Sequence, residues 1–326
     1  MSIDIALVQA YLENIQVAVQ HADLAHAEVL LGCMQKFLTP PAPLSFDRPM
    51  QVSVGIGLHP GIKRRGRPNE DFAFAATGVN TQTQQTYGVF AIADGMGGHA
   101  NGQIASRLAI ETIVDTILPT LHHACVEPSN LGSLLRDAVA HANLVIYQQN
   151  QETASLQSLD QMGTTLTALV IFGPHSCIAN VGDSRAYLYR LGRGLRMITR
   201  DHSIVAELVA SGAIAPEEIY THPERNKITR CLGAAPTVEV DLFPEQVQDG
   251  DTLLLCTDGV WEMTRDPHIE KILESPWMSA TGMVERLTQL ALQGGGLDNI
   301  GLVVLQIHMS VPGMQTMLLS PYATVS

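Results

Sequence analysis

The chain has 326 residues and a mass of 35.2 kDa, enough for one large domain or two small ones. Hydrophobic residues make up 46% and charged residues 16%, which excludes an intrinsically disordered chain. A formal net charge of −13 at pH 7 argues against nucleic acid or an anionic membrane surface as partner, because neither attracts an acidic protein.

Taken in chain order, residues 3–37 carry apolar positions at helical spacing in two stretches, 3–19 and 24–37. His21-Ala22-Asp23 lies between them as a turn, so a helical hairpin is expected over residues 1–38. Its apolar stripes need a partner surface: the domain itself, a second copy in a dimer, or a regulatory protein. Residues 39–50 are proline-rich and read as a linker. From residue 51 to 308 short β-rich runs alternate with longer helices, and 309–326 reads as a loosely ordered tail. Strands are expected at 51–58, 72–77, 86–93, 165–172, 176–181, 185–190, 252–257 and 300–307. Helices are expected at 101–118, 131–150, 202–211, 267–274 and 280–293. The connections 165–172/176–181 and 176–181/185–190 span only a few residues, which favours antiparallel hairpins. Strands with one apolar face, covered by amphipathic helices, fit a layered α+β sandwich.

The N-terminus lacks a basic region, and no uncharged apolar run approaches the roughly 18 residues of a membrane span. Cysteines 33, 125, 177, 231 and 256 are scattered without a C-x-x-C pair. Reduced core thiols in a cytoplasmic protein are the expectation.

The informative residues are acidic. Asp94, Asp183 and Asp258 each interrupt an apolar run beside a glycine, and Asp298 stands just before the run IGLVVLQI. Any single Asp-Gly is ordinarily a turn. Four carboxylates at strand ends can instead converge, and they repel one another unless a cation lies between them. Asp94, Asp258, Asp298 and Glu70 are hard oxygen donors with no histidine or cysteine among them, which selects Mg²⁺ or Mn²⁺. Gly95 lets its own carbonyl approach the same ion. Such ions activate water for attack on phosphorus, so phosphate chemistry is the first class to consider. Three arginines precede Glu70-Asp71 in KRRGRPNEDF, and an arginine there can grip phosphate by a bidentate fork, although a solvated basic turn reads equally well. The stretch GTTLTALVIFG reads as core packing, Asp183-Ser184-Arg185 as a hairpin turn, and residues 213–233 as a long loop, functional or disordered. No dinucleotide or P-loop signature is present. His99, His122, His123 and His202 read as structural, and Trp261 and Trp277 as packed.

In order, the segments EDF, ADGMGG, GTTLTAL, VGDSRAYL, TRDHS, HPERNKITRCLG, CTDGVWE and LDNIGLVVL resemble the motif series of the type 2C metal-dependent protein phosphatases, above all the bacterial branch. The resemblance spans about residues 52–308. It implies a four-layer α-β-β-α sandwich, two antiparallel sheets flanked by helices, with metals at one end. It also implies hydrolysis of phosphoserine and phosphothreonine in proteins by a metal-bridging water, without a phosphoenzyme. By motif, Asp94 would bridge two ions with the Gly95 carbonyl completing one site. Asp258 and Asp298 would hold the first ion and Glu70 the second, while Asp183 and Glu262 match a weaker third site. The loop 203–233 matches the family's substrate-influencing flap. Two departures stand out. The family's phosphate arginine falls at Gly66, so Arg65, or alternatively Arg67, is expected to take its role. Met96 replaces a histidine of some eukaryotic relatives, and His99 is no positional substitute. The acidic surface favours basic sequence around the phosphosite. The alternative is a non-catalytic phosphoprotein-binding scaffold on the same fold.

Overall fold

The computed structural model describes residues 50–96, 101–154 and 161–309, together with the single helical residue Gln16. Apart from Gln16 and the boundary residues Met50 and Met309, the expected hairpin, linker and tail lie outside the described residues, as does His99. The chain opens with β1 (Met50–His59), β2 (Asp71–Val79) and β3 (Thr86–Met96), followed by helices α1 (Asn101–His123) and α2 (Leu131–Ala154). Then come β4 (Gly163–Thr164), β5 (Leu166–Phe172), β6 (His175–Val181), β7 (Arg185–Arg190) and β8 (Gly194–Met197). Helix α3 (Ile204–Ala210) precedes β9 (Asp241–Gln246) and β10 (Thr252–Cys256). Helices α4 (Asp258–Thr264), α5 (Asp266–Leu273) and α6 (Ala280–Gln293) lead into β11 (Ile300–Met309). No helix among the described residues is long and apolar enough to cross a membrane.

The strands form two antiparallel sheets, one in the order β1-β11-β10-β7-β8 and the other β2-β3-β5-β6-β9, with β4 on β3. Their side chains alternate between two apolar layers. In β3, Tyr87, Val89, Ala91 and Ala93 face α1 and α2, while Phe90 and Ile92 enter the space between the sheets. In β11, Val303, Leu305 and Ile307 meet them there, while Ile300, Leu302 and Val304 pack under α4, α5 and α6. The four-layer arrangement follows. These central strands are therefore apolar on both faces, against the expectation of one, because each sheet is covered on both sides.

Other departures have local causes. β5 and β6 form the expected hairpin. β6 and β7 do not pair: β6 lies between β5 and β9, whereas β7 lies between β10 and β8. Gly182, at φ +105°, turns the chain from one sheet to the other. Strand β9 escapes the sequence pattern because its run DLFPEQ contains Pro244, which an edge strand tolerates. Helix α1 runs past 118 through Pro119 to His123. Trp277 is 94% exposed and does not pack.

A Cβ at Gly182 would lie 2.6 Å from the Thr165 side chain, in a backbone conformation that L-residues avoid. Gly182→Ala is expected to cost about 2 kcal/mol or more, read as a lowered urea midpoint with an unchanged slope.

Candidate metal centre

Both sheets deliver carboxylates to one end of the sandwich. In the β2–β3 ladder Asp71 lies directly opposite Asp94. Asp258 opens α4 immediately after β10, and Asp298 sits in the turn that starts β11. Glu70 precedes β2 by one residue. Asp94 is pushed well above the usual carboxylate range, first by burial and then by the charges of Asp71, Asp258, Asp298 and Asp183. Asp258 is pushed up likewise, by burial and by Asp183, Asp298, Glu262 and Asp71. The sequence-expected ligands Asp94, Asp258, Asp298 and Glu70 are thus brought together, with Asp183 and Glu262 beside them.

The surroundings fix these groups. The Thr165 hydroxyl accepts from the Asp94 amide at 2.9 Å and is bonded to Ser184 Oγ at 2.8 Å. The Asp94 carbonyl accepts from Thr164 Oγ1 at 2.9 Å and from the Thr165 amide at 2.8 Å. The GTT segment is therefore a fastening for Asp94, beyond the core packing read from sequence. The Gly95 amide donates to the Glu70 carbonyl at 3.0 Å, and a Cβ on Gly95 would collide with the Gly102 carbonyl. Ser106 Oγ donates to that same Glu70 carbonyl at 2.6 Å. Asn299 receives the Glu70 amide at 2.9 Å, and its own amide donates to Asp298 Oδ1 at 2.7 Å.

The arginine that reaches the cluster is Arg64, whereas the sequence reading named Arg65 or Arg67 for the phosphate role. Its Nη1 lies 2.5 Å from Glu70 Oε2, its Nε 2.8 Å from Asp298 Oδ1 and its Nη2 3.0 Å from Asp298 Oδ2. Arg65 and Arg67 are exposed, and neither forms an ion pair with the cluster among the described residues. The cause is the turn before β2, in which Gly66 adopts φ +87°. Counting residues back from Glu70 as if along a strand cannot anticipate that reversal.

Asp71 is the second omission from the sequence reading. It is buried and accepts from Thr257 Oγ1 at 2.8 Å, and burial lifts it to about 8. Its position as the first inward residue of β2, straight after Glu70, is the signal that could have found it. Asp183 is lifted to about 7 by burial and by the charge of Asp201. Its carbonyl accepts from Trp261 Nε1 at 3.0 Å. Glu262 lies on α4, a helix not expected from sequence, 3.9 Å from Arg225 of the flap.

As these side chains stand, no group of three or more His, Cys, Asp or Glu residues among those described closes on a common point. Arg64 supplies the positive charge between Glu70 and Asp298 instead. The donor set still fits a hard divalent ion. Asp258 Oδ1 is buried with no hydrogen-bond partner, an orphaned carboxylate oxygen that a divalent cation would satisfy. Gly95, with no room for a side chain, packs its main chain against Gly102 and the Glu70 carbonyl.

Because Asp71 and Asp183 bind protons more tightly folded than unfolded, their contribution to stability is complete below about pH 4 and is lost as pH rises through about 7 to 8. The metal-free protein is expected to lose melting temperature between pH 5 and 8. Millimolar Mn²⁺ should cancel that loss, as read by calorimetry in paired scans with and without the ion.

A family model described as protein phosphatase 2C matches residues 61–291. Serine/threonine phosphatase stp of Listeria monocytogenes is 36% identical over 224 residues, covering 68% of this chain and 85% of that protein. Serine/threonine protein phosphatase PstP of Mycobacterium tuberculosis is 39% identical over 220 residues, covering 67% of this chain and 40% of that protein. Among solved structures, the catalytic domain of PstP in complex with two manganese ions matches with a TM-score of 0.66 at 33% identity. That match covers 79% of this chain and 99% of the other. Stp1 from Staphylococcus aureus matches with a TM-score of 0.68 at 31% identity, covering 82% and 99%.

Proposed function

This chain belongs to the protein phosphatase 2C family, and we propose that it is a serine/threonine protein phosphatase that uses Mn²⁺ or Mg²⁺ at the carboxylate cluster. The observation that carries the metal dependence is the crowding itself: buried carboxylates from both sheets with one oxygen of Asp258 left unpartnered. Asp94, the Gly95 carbonyl, Asp258 and Asp298 would hold the ions together with Glu70, and Asp183 with Glu262 would hold a third. Bound there, divalent ions supply charge neutralisation and a water activated for attack on phosphorus.

The chain's own residues do the rest. Thr164 and Thr165 hold the Asp94 main chain in place, and Asn299 orients Asp298 and the start of β2. Arg64 stands at the partly open mouth of the cluster, with its side chain 32% exposed. A phosphate monoester offers it a charge-assisted, bidentate partner, and this is the reading under which Arg64 is the phosphate clamp. Met96 offers no proton, so the leaving serine or threonine oxygen takes its proton from water. The scaffold alternative drew its support from the glycine at 66, and loses it with Arg64 beside Glu70 and Asp298.

Hydrolysis of p-nitrophenyl phosphate should appear with millimolar Mn²⁺ and vanish with EDTA or with Asp258→Ala. A wild-type protein that binds phosphoprotein yet stays inactive under those conditions sinks the proposal. Arg64→Ala should raise KM for phosphate monoesters about tenfold or more, while Arg65→Ala and Arg67→Ala stay within about twofold. Equal effects of the three substitutions would remove Arg64 from its assigned role.

A further inference from the structure

The flap is tied at both ends by main-chain bonds. The Ile204 amide donates to the Lys227 carbonyl and the Thr229 amide to the His202 carbonyl, while Leu232 and Thr164 exchange bonds in both directions. Its middle, from Ala213 to Arg225, borders a cleft of about 960 Å³ whose walls include Val205, Val209, Ile219, Tyr220 and Trp261. Across that region a chain of stacked groups runs from the flap to the carboxylate cluster. The Arg265 guanidinium lies 3.3 Å from the centre of the Tyr220 ring. Tyr220 meets Trp261 at 6.2 Å between ring centres, tilted by 55°. Trp261 donates to the Asp183 carbonyl at 3.0 Å and carries Arg185 over its face at 3.5 Å.

Arg265 also occupies a backbone conformation that a side chain does not choose. At φ +66° and ψ +147° it sits where glycine is the ordinary resident. It ends α4, donating its amide to the Trp261 carbonyl at 3.3 Å, and its own carbonyl begins α5. A glycine would serve that corner without strain. The arginine therefore needs a reason that lies in its side chain, and the contact that the side chain makes is the Tyr220 ring.

We propose that Arg265 and Tyr220 form a latch that holds the middle of the flap against α4, seated on the ring of Trp261, whose bond to the Asp183 carbonyl keeps it fixed. Arg265 and Tyr220 are positioning residues: neither makes a hydrogen bond or ion pair with the cluster among the described residues, although the Arg265 charge is felt at Glu262, and they set the flap surface that a protein substrate meets. On this proposal small phosphate esters do not depend on that surface. A latched flap consequently matters for phosphoproteins and phosphopeptides and not for aryl phosphates.

Only Trp261 and Trp277 contribute indole fluorescence. Trp277 is exposed and outside the stack, so Trp277→Phe leaves Trp261, itself 3% exposed, as sole reporter. In that background and without metal, Arg265→Gly and Tyr220→Ala should each raise acrylamide quenching of Trp261 about threefold or more, while Tyr220→Phe stays at the parent value. With Mn²⁺, KM for a phosphothreonine peptide should rise about fivefold or more in the two unlatched variants, with p-nitrophenyl phosphate turnover within about twofold of the parent. The melting temperature of Arg265→Gly should not fall, since glycine relieves the strained corner. Unchanged quenching in Arg265→Gly, or equal shifts for peptide and aryl phosphate, overturns the latch. The substrate arm rests on the phosphatase reading above. If the parent hydrolyses neither substrate, that reading fails and quenching alone decides the latch.

Discussion

Negative charge held out of water is the constraint on which this molecule is organised. Asp71, Asp94, Asp183 and Asp258 are pushed upward first by burial and then by other carboxylates around them. Desolvation and like-charge repulsion both disfavour such a set, and each adds to the other in a medium of low dielectric. A fold that keeps it must hold the groups from behind and neutralise them from in front. Thr164, Thr165, Thr257 and Asn299 do the first through bonds that leave other carboxylate oxygens available. Arg64 does part of the second, and divalent ions are proposed to do the remainder.

The two-sheet architecture is what makes convergence affordable in conformational terms. Asp94 arrives on one sheet, Asp258 and Asp298 on the other, and the layer of Phe90, Ile92, Val303 and Leu305 between the sheets sets their separation. Apart from Glu262, which lies on α4, each ligand candidate is at or next to a strand end, where the ladder stops and a side chain can turn toward the gap. Helix α1 begins almost at once after β3, and Gly102 in its first turn packs on Gly95 with no space for a methyl group. Precision here comes from main chain on main chain, which no rotamer change can relax.

Much of this was legible in the sequence because its physics is local. Apolar runs of five to eight residues ending in Asp-Gly announce buried strands that stop at an acidic terminus. The hard-oxygen donor set needs only residue identity. What was hidden depends on backbone turns. Arg64 displaced Arg65 and Arg67 because the reversal at Gly66 reorders which side chains face inward. The break between β6 and β7 hinges on Gly182, and a short link between two apolar runs looks the same whether the strands pair or part. Helix α4, which carries Glu262 and Trp261, is only seven residues long, too short for its apolar periodicity to show in sequence. Thr165 looked like packing because its hydroxyl bonds to an amide seventy-one residues earlier.

The sheet order has a consequence for biogenesis. β11 is the last strand of the domain, yet it sits between β1 and β10, so the first strand has no edge to join until residues 300–309 have been synthesised. Contacts of such long sequence separation make folding slow. At a translation speed of about 5–20 residues per second, β1 waits on the order of ten to fifty seconds for β11, and β10 only a few seconds. Asp298, immediately upstream of β11, is the last of the clustered acidic groups to arrive, so the carboxylate end of the sandwich is completed only when that strand is made.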